Sequence, residues 1–156
     1  MSDTTEKLTF TYVTYIRSTP DTIWHALTDA DLTGRYWGHS NVSDWQVGSS
    51  WEHVRADGSG TVDGGGTVLE ASPSKRLVMT FPTAGPSKVT FGIEEYREIA
   101  QLTVTHEDLA GPGDRDAVAA GWPAVLSNLK SLLETGEVLP QKPWEMLAAL
   151  KDTSRA

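Results

Sequence analysis

The sequence predicts one α+β domain: a curved antiparallel sheet of six or seven strands, two short helices after the first strand, and a long C-terminal helix across the sheet. Three observations predict it. Residues 42–108 are cut by turn residues into short β-branched and aromatic runs, too closely spaced for helical crossovers. Thr19-Pro20 and Asp29 each open a short helical pattern right after the first such run. Residues 114–134 carry a long apolar stripe at helical spacing. An antiparallel sheet with one apolar face must bury that face, and only the 114–134 segment is long enough to cover it.

In order, Leu8–Arg17 reads as a strand, with Phe10 and Tyr12 on one parity. Thr19 caps a helix with Pro20 in its first turn, and Ile23, Trp24 and Leu27 recur at helical spacing. Asp29 caps a second helix to about residue 36, ended by Gly38. Strands are expected near 42–47, 49–56, 61–72, 76–82, 87–96 and 100–108. Gly48, Asp57-Gly58, Pro73-Ser74, Pro82 to Pro86 and Glu98 separate them. Asp114 is expected to cap the long helix, whose stripe is Val118, Trp122, Val125, Leu126, Leu129, Leu132 and Leu133. Pro123 within it predicts a kink or break near 119–123, because proline removes a hydrogen bond and crowds the preceding turn. Residues 1–139 form the domain, and 140–156 a tail with a short helix around Trp144.

Composition excludes several functions. The net charge of −8 repels phosphate backbones and anionic lipid, so nucleic acid and membrane are poor partners. No apolar run approaches the roughly 20 residues of a membrane span, and no leader pattern opens the chain, so a cytoplasmic protein is expected. Cysteine is absent, which excludes disulfides and thiolate chemistry. The four histidines at 25, 39, 53 and 106 lack metal-ligand spacing, and neither metal nor cofactor is expected. Gly58 to Gly66 fails as a dinucleotide loop, since Asp63 holds the third glycine position and a strand follows; a hairpin turn plus a bulge fits better.

Seven stretches, in order, resemble the START-like (SRPBCC) helix-grip superfamily, within it the branch named after the activator of the heat-shock protein 90 ATPase. They are Thr19–Asp29, Tyr36-Trp37-Gly38, Gly48–Trp51, Gly66–Glu70, Lys75–Phe81, Leu102–His106 and Gly121–Glu134, and the resemblance spans roughly residues 10–136. It departs at Gly48-Ser49, where a glycine pair is common, at Ile99-Ala100-Gln101, and beyond residue 136. The resemblance implies a cavity between sheet and long helix that takes lipids, sterols, polyketides or other apolar molecules. Some members are cyclases, and the branch name implies a chaperone partner.

On that reading Trp37, Trp51, Met79, Phe81, Phe91 and Trp122 supply an apolar wall, and His53, Arg55 and His106 orient a small, mostly apolar ligand, with an anionic group if Arg55 engages it. Bland readings stand beside these. Arg55 can sit at the rim in solvent, and His106 can be a hydrogen-bonded core residue. His53 or His106 would be the acid or base of a cyclase or dehydratase, but the sequence names no partner residue for either. His25 and His39 are expected on exposed surface. Trp144 is expected to pack on the domain or on a second subunit of a homodimer.

Overall fold

A computed structural model describes residues 7–83 and 86–146. Its elements run β1 (Leu8–Ile16), α1 (Pro20–Thr28), α2 (Ala30–Trp37), β2 (His39–Val42), β3 (Ser50–Arg55), β4 (Val62–Ser72), β5 (Arg76–Pro82), β6 (Pro86–Tyr96), β7 (Ile99–Leu109) and α3 (Pro112–Thr135). The strands form one seven-stranded antiparallel sheet in the order β1-β7-β6-β5-β4-β3-β2. Every neighbour is therefore a hairpin partner except β1, which closes against the last strand.

Local chemistry sets the boundaries. Thr19 Oγ1 accepts the Thr22 N–H at the start of α1. Asp29 Oδ1 accepts from Asp31 N–H and Leu32 N–H, so one residue ends α1 and caps α2. Gly38 stops α2 at φ 78°, a left-handed conformation that glycine adopts without a side-chain clash. α3 packs on β1, β7 and α2, burying Trp122, Val125, Leu126, Asn128, Leu129 and Leu132. Opposite them, alternate residues of β7 (Ala100, Leu102, Val104, His106) are buried, as period-2 geometry requires.

Three expectations are corrected. The strand expected at 42–47 lies earlier, at His39–Val42. Beyond it Ser43 Oγ accepts the Trp45 N–H, Asp44 Oδ1 accepts the Gln46 N–H, and Trp45 sits at φ 56°, which together turn the chain out of the sheet. Asp114 does not cap α3, which starts two residues earlier at Pro112 with Gly111 as its cap residue. The break at Pro123 is absent, and α3 is one helix of 24 residues. Trp122 and Val125 flank the proline on the buried face, so the packing of that face spans the missing hydrogen bond.

The segment after α3 is tied back to the domain. Asn128 Nδ2 donates to Tyr36 O, and Asn128 Oδ1 accepts the Leu139 N–H at 2.7 Å. Val138 and Trp144 pack against the core, and the Trp144 indole covers Gly38, where a Cβ would come within 3.0 Å of it. The remainder of the helix expected around Trp144 falls at 147–156, outside the described residues.

Candidate functional site

Six rings meet under the N-terminal half of α3. Trp37, from the end of α2, touches His53 (5.3 Å between centroids), Phe81 (6.2 Å, nearly parallel) and Trp122 (5.2 Å). Trp51 touches His53 and Phe81, and Phe81 in turn touches His106 and Trp122. Edge-to-face geometry prevails, as the aromatic quadrupole favours. These rings pack on one another beneath the helix. What stays open is a cleft of about 260 Å³ lined by Trp37, Phe81, Pro82, Thr83, Ala117, Val118, Gly121, Trp122 and Val125.

Of the residues expected to line a cavity, Trp37, Phe81 and Trp122 do so. Trp51, Met79 and Phe91 are each 1% exposed and stand behind that wall. Trp51 Nε1–H is spent on Thr80 O at 2.9 Å.

His106 is fully buried on β7. Trp122 Nε1–H donates to its Nδ1 at 3.1 Å, so that nitrogen holds a lone pair. The hydrogen therefore sits on Nε2, which donates to Ser87 Oγ at 2.8 Å. Burial lowers its pKa to about 4, against a smaller opposing pull from Asp114, and the ring is neutral. With both nitrogens committed inside the protein, His106 joins β6, β7 and α3.

His53 is wired differently. It is 8% exposed, and its Nδ1–H donates to the amide oxygen of Asn41, an acceptor, at 2.6 Å. Its Nε2 thus carries a lone pair, whereas the neighbouring His39 keeps a buried Nδ1 with no hydrogen-bond partner. His39 stacks on His53 at 3.9 Å, with planes within 5°. Burial first, then the His39 charge, lower the His53 pKa to about 3, while Asp63 opposes.

Arg55 shares the parity of His53 but ends its strand at the rim, with 52% of its side chain exposed. There its Nε–H donates to Asp63 Oδ2 at 2.8 Å, and His39 Nε2–H donates to the same oxygen at 2.7 Å. These bonds, Arg55 first, hold the Asp63 carboxyl down at about 2. The guanidinium is thus held by Asp63 at the edge of the site.

His39, expected on open surface, has only 24% of its side chain exposed and opens β2. His39, Asn41 and Asp63 are the residues that sequence reasoning missed. The signal was a spacing of two: His39-x-Asn41 and His53-x-Arg55 face each other once β2 and β3 pair, His39 to Arg55 and Asn41 to His53.

A sheet bent around one long helix, with a ring-walled cleft between them, defines a helix-grip protein of the START-like (SRPBCC) superfamily. The family model for Activator of Hsp90 ATPase homolog 1-like protein matches residues 17–134, and the chain belongs to that family. A solution structure of a Bordetella parapertussis protein is similar, with 25% identity, a TM-score of 0.73, and coverage of 93% of this chain and 83% of that one. A protein of unknown function from Enterococcus faecalis shares 21% identity at a TM-score of 0.72, covering 94% and 86%. The solution structure of the Aha1 dimer from Colwellia psychrerythraea shares 23% identity at a TM-score of 0.68, covering 83% and 98%. No curated protein matches the sequence. No helix among the described residues is long and apolar enough to cross a membrane, and no metal-binding group of acidic, His or Cys side chains occurs among them.

Proposed function

We propose that this protein binds a small, mostly apolar molecule, inside the cell, in the cleft between α2, β5 and α3. The observation that carries the reading is the cleft itself, a concave opening of about 260 Å³ walled by Trp37, Phe81, Trp122, Val118 and Val125. Its size, at the low end of small-molecule pockets, suits a compact aromatic or short aliphatic ligand rather than a long lipid. A cyclase or dehydratase reading has less support. His106 has no free nitrogen, so proton transfer would fall to His53 alone.

A thermal-shift titration with small bicyclic aromatics tests the proposal. The expected result is a concentration-dependent rise in Tm, about 2.7 kcal/mol of stabilisation at a hundredfold excess over Kd. Val118→Asp, which places a carboxylate in the wall, should abolish the shift. A Tm unmoved by every such compound would defeat the reading.

The family description supports a second reading, association with the chaperone whose ATPase gives the family its name. The chaperone's ATPase rate, measured with and without this protein, decides it: an unchanged rate removes it. A homodimer, the form in which the Colwellia psychrerythraea protein was solved, is proposed here too. A sedimentation mass of one chain would reject it.

A further inference from the structure

The end of α2 is held by the segment that follows α3. Arg35 Nη2 donates to Gly136 O in a long bond of 3.4 Å. Tyr36 O, one of the carbonyls that a helix end leaves without an internal partner, accepts from Asn128 Nδ2 at 3.0 Å. The oxygen of the same amide accepts the Leu139 N–H, and Asn128 is 2% exposed. Ser131 Oγ donates to Glu137 O at 2.8 Å, and Val138 packs against the core, so the chain leaves α3 in a fixed direction. It then lays the Trp144 ring on Gly38, where a Cβ would stand 3.0 Å from Cζ2 and 3.7 Å from two further ring carbons. The absence of a side chain at Gly38 is what makes that seat. Arg35, Tyr36 and Gly38 are thus all anchored to the C-terminal part of the chain, and the residue they bracket is Trp37. Trp37 lines the cleft, 5.2 Å from Trp122 and 6.2 Å from Phe81 between ring centroids. Residues 136–144 lie beyond the segment 17–134 that the family model matches, so the family likeness does not account for them.

We infer that residues 136–144 form a strap that positions Trp37, and that Trp144 thereby determines specificity by limiting the cleft to ligands the size of a bicyclic aromatic. The inference rests on the binding reading above and adds what sets the size limit. A side chain that shapes a site is only as fixed as the residues behind it. Ring contacts with His53, Phe81 and Trp122 hold the Trp37 indole. The strap holds the backbone on either side of it, at Tyr36 and Gly38. With the Trp144 ring removed, the end of α2 shifts, Trp37 moves with it, and the cleft admits larger molecules. Coupling of this kind is reciprocal, so a ligand packed on Trp37 must in turn hold the strap down.

Quinoline and acridine, a bicyclic and a tricyclic aromatic of like chemistry, test it by calorimetric titration at mildly alkaline pH, where both are neutral. Quinoline should bind the unsubstituted protein about tenfold tighter than acridine or more, and Trp144→Ala should bring that ratio below about threefold. Trp144→Phe, which keeps a ring on Gly38, should retain most of the discrimination. A general loss of stability would weaken both compounds alike and leave the ratio where it was. Hydrogen exchange in the unsubstituted protein gives a second measurement, whatever the variants do to folding. Saturating quinoline should slow exchange of the Leu139 amide, which opens with the strap, by about threefold or more. Equal affinities for the two compounds, a ratio unmoved by Trp144→Ala, or a Leu139 rate unmoved by quinoline overturns this inference and leaves the apolar-binding reading intact. Failure of both compounds to bind overturns both.

Discussion

The two halves of the sheet hold one buried histidine each and treat it in opposite ways. In the half made of β1, β7, β6 and β5, strands of seven to eleven residues pair over long runs, and His106 is bonded on both nitrogens. In the half made of β2, β3 and β4, β2 and β3 are short and the β3–β4 register shifts between Glu52 and Val54. There His53 is bonded on one nitrogen and stacked on a second histidine. The closed half spends its polar groups on cohesion, and the irregular half leaves one available. The β1–β7 register also shifts, between Leu8 and Phe10, so strand length and not register alone separates the two halves.

The largest test of this comparison is acid. Both histidines have folded pKa values below the unfolded 6.5, at about 3 and about 4. Between those values and 6.5 the unfolded chain binds protons that the folded chain refuses. Stability should therefore fall as pH drops from about 6.5 towards 4, by up to about 1.4 kcal/mol per pH unit for each histidine. Urea unfolding across that range checks it. His106→Gln should remove the larger part of the slope above pH 4 that belongs to the closed half, and a flat profile would show that the rings are not held neutral.

Next in size is the glycine run that lets the irregular half bend. A Cβ on Gly65 would collide with Trp51 O, and one on Gly66 with Thr80 O, both backbone atoms. Gly65→Ala or Gly66→Ala should cost about 3 kcal/mol or more in urea unfolding. A loss below about 1 kcal/mol would mean that β4 can slide past its neighbours.

Smaller again is Trp122→Phe, which keeps a ring and removes the donor to His106 Nδ1. An expected loss of about 1–3 kcal/mol reflects one buried acceptor left unpaired. The smallest effect belongs to Arg55→Ala at the rim. Its pair with Asp63 is half-exposed, and Tm should stay within error of the unsubstituted protein.

The architecture was legible in the sequence because its signals are local. Thr19, Asp29 and Gly38 act on their own neighbours, and the α3 stripe repeats at the helical period. The strand misplaced at 42–47 failed for the same reason: side-chain turn bonds at Ser43 and Asp44 outweighed the apolar run containing Trp45 and Val47. The site was legible only in part. Parity brought Trp51 and His53 to one face, but partners are set across strands. Asn41 meets His53 from 12 positions away through the regular β2–β3 register, and Asp63 meets His39 from 24 positions away, across a β3–β4 pairing whose register shifts. Arg55 shows the converse, the right parity at the wrong height.

The ring cluster also makes the molecule its own optical sensor. Three of the six tryptophans, Trp37, Trp51 and Trp122, each contact a buried histidine. A charged imidazolium accepts an electron from excited indole far more readily than a neutral ring does. Emission should therefore dim the moment either histidine gains its proton, so ordinary fluorimetry can follow the interior of this protein without any label.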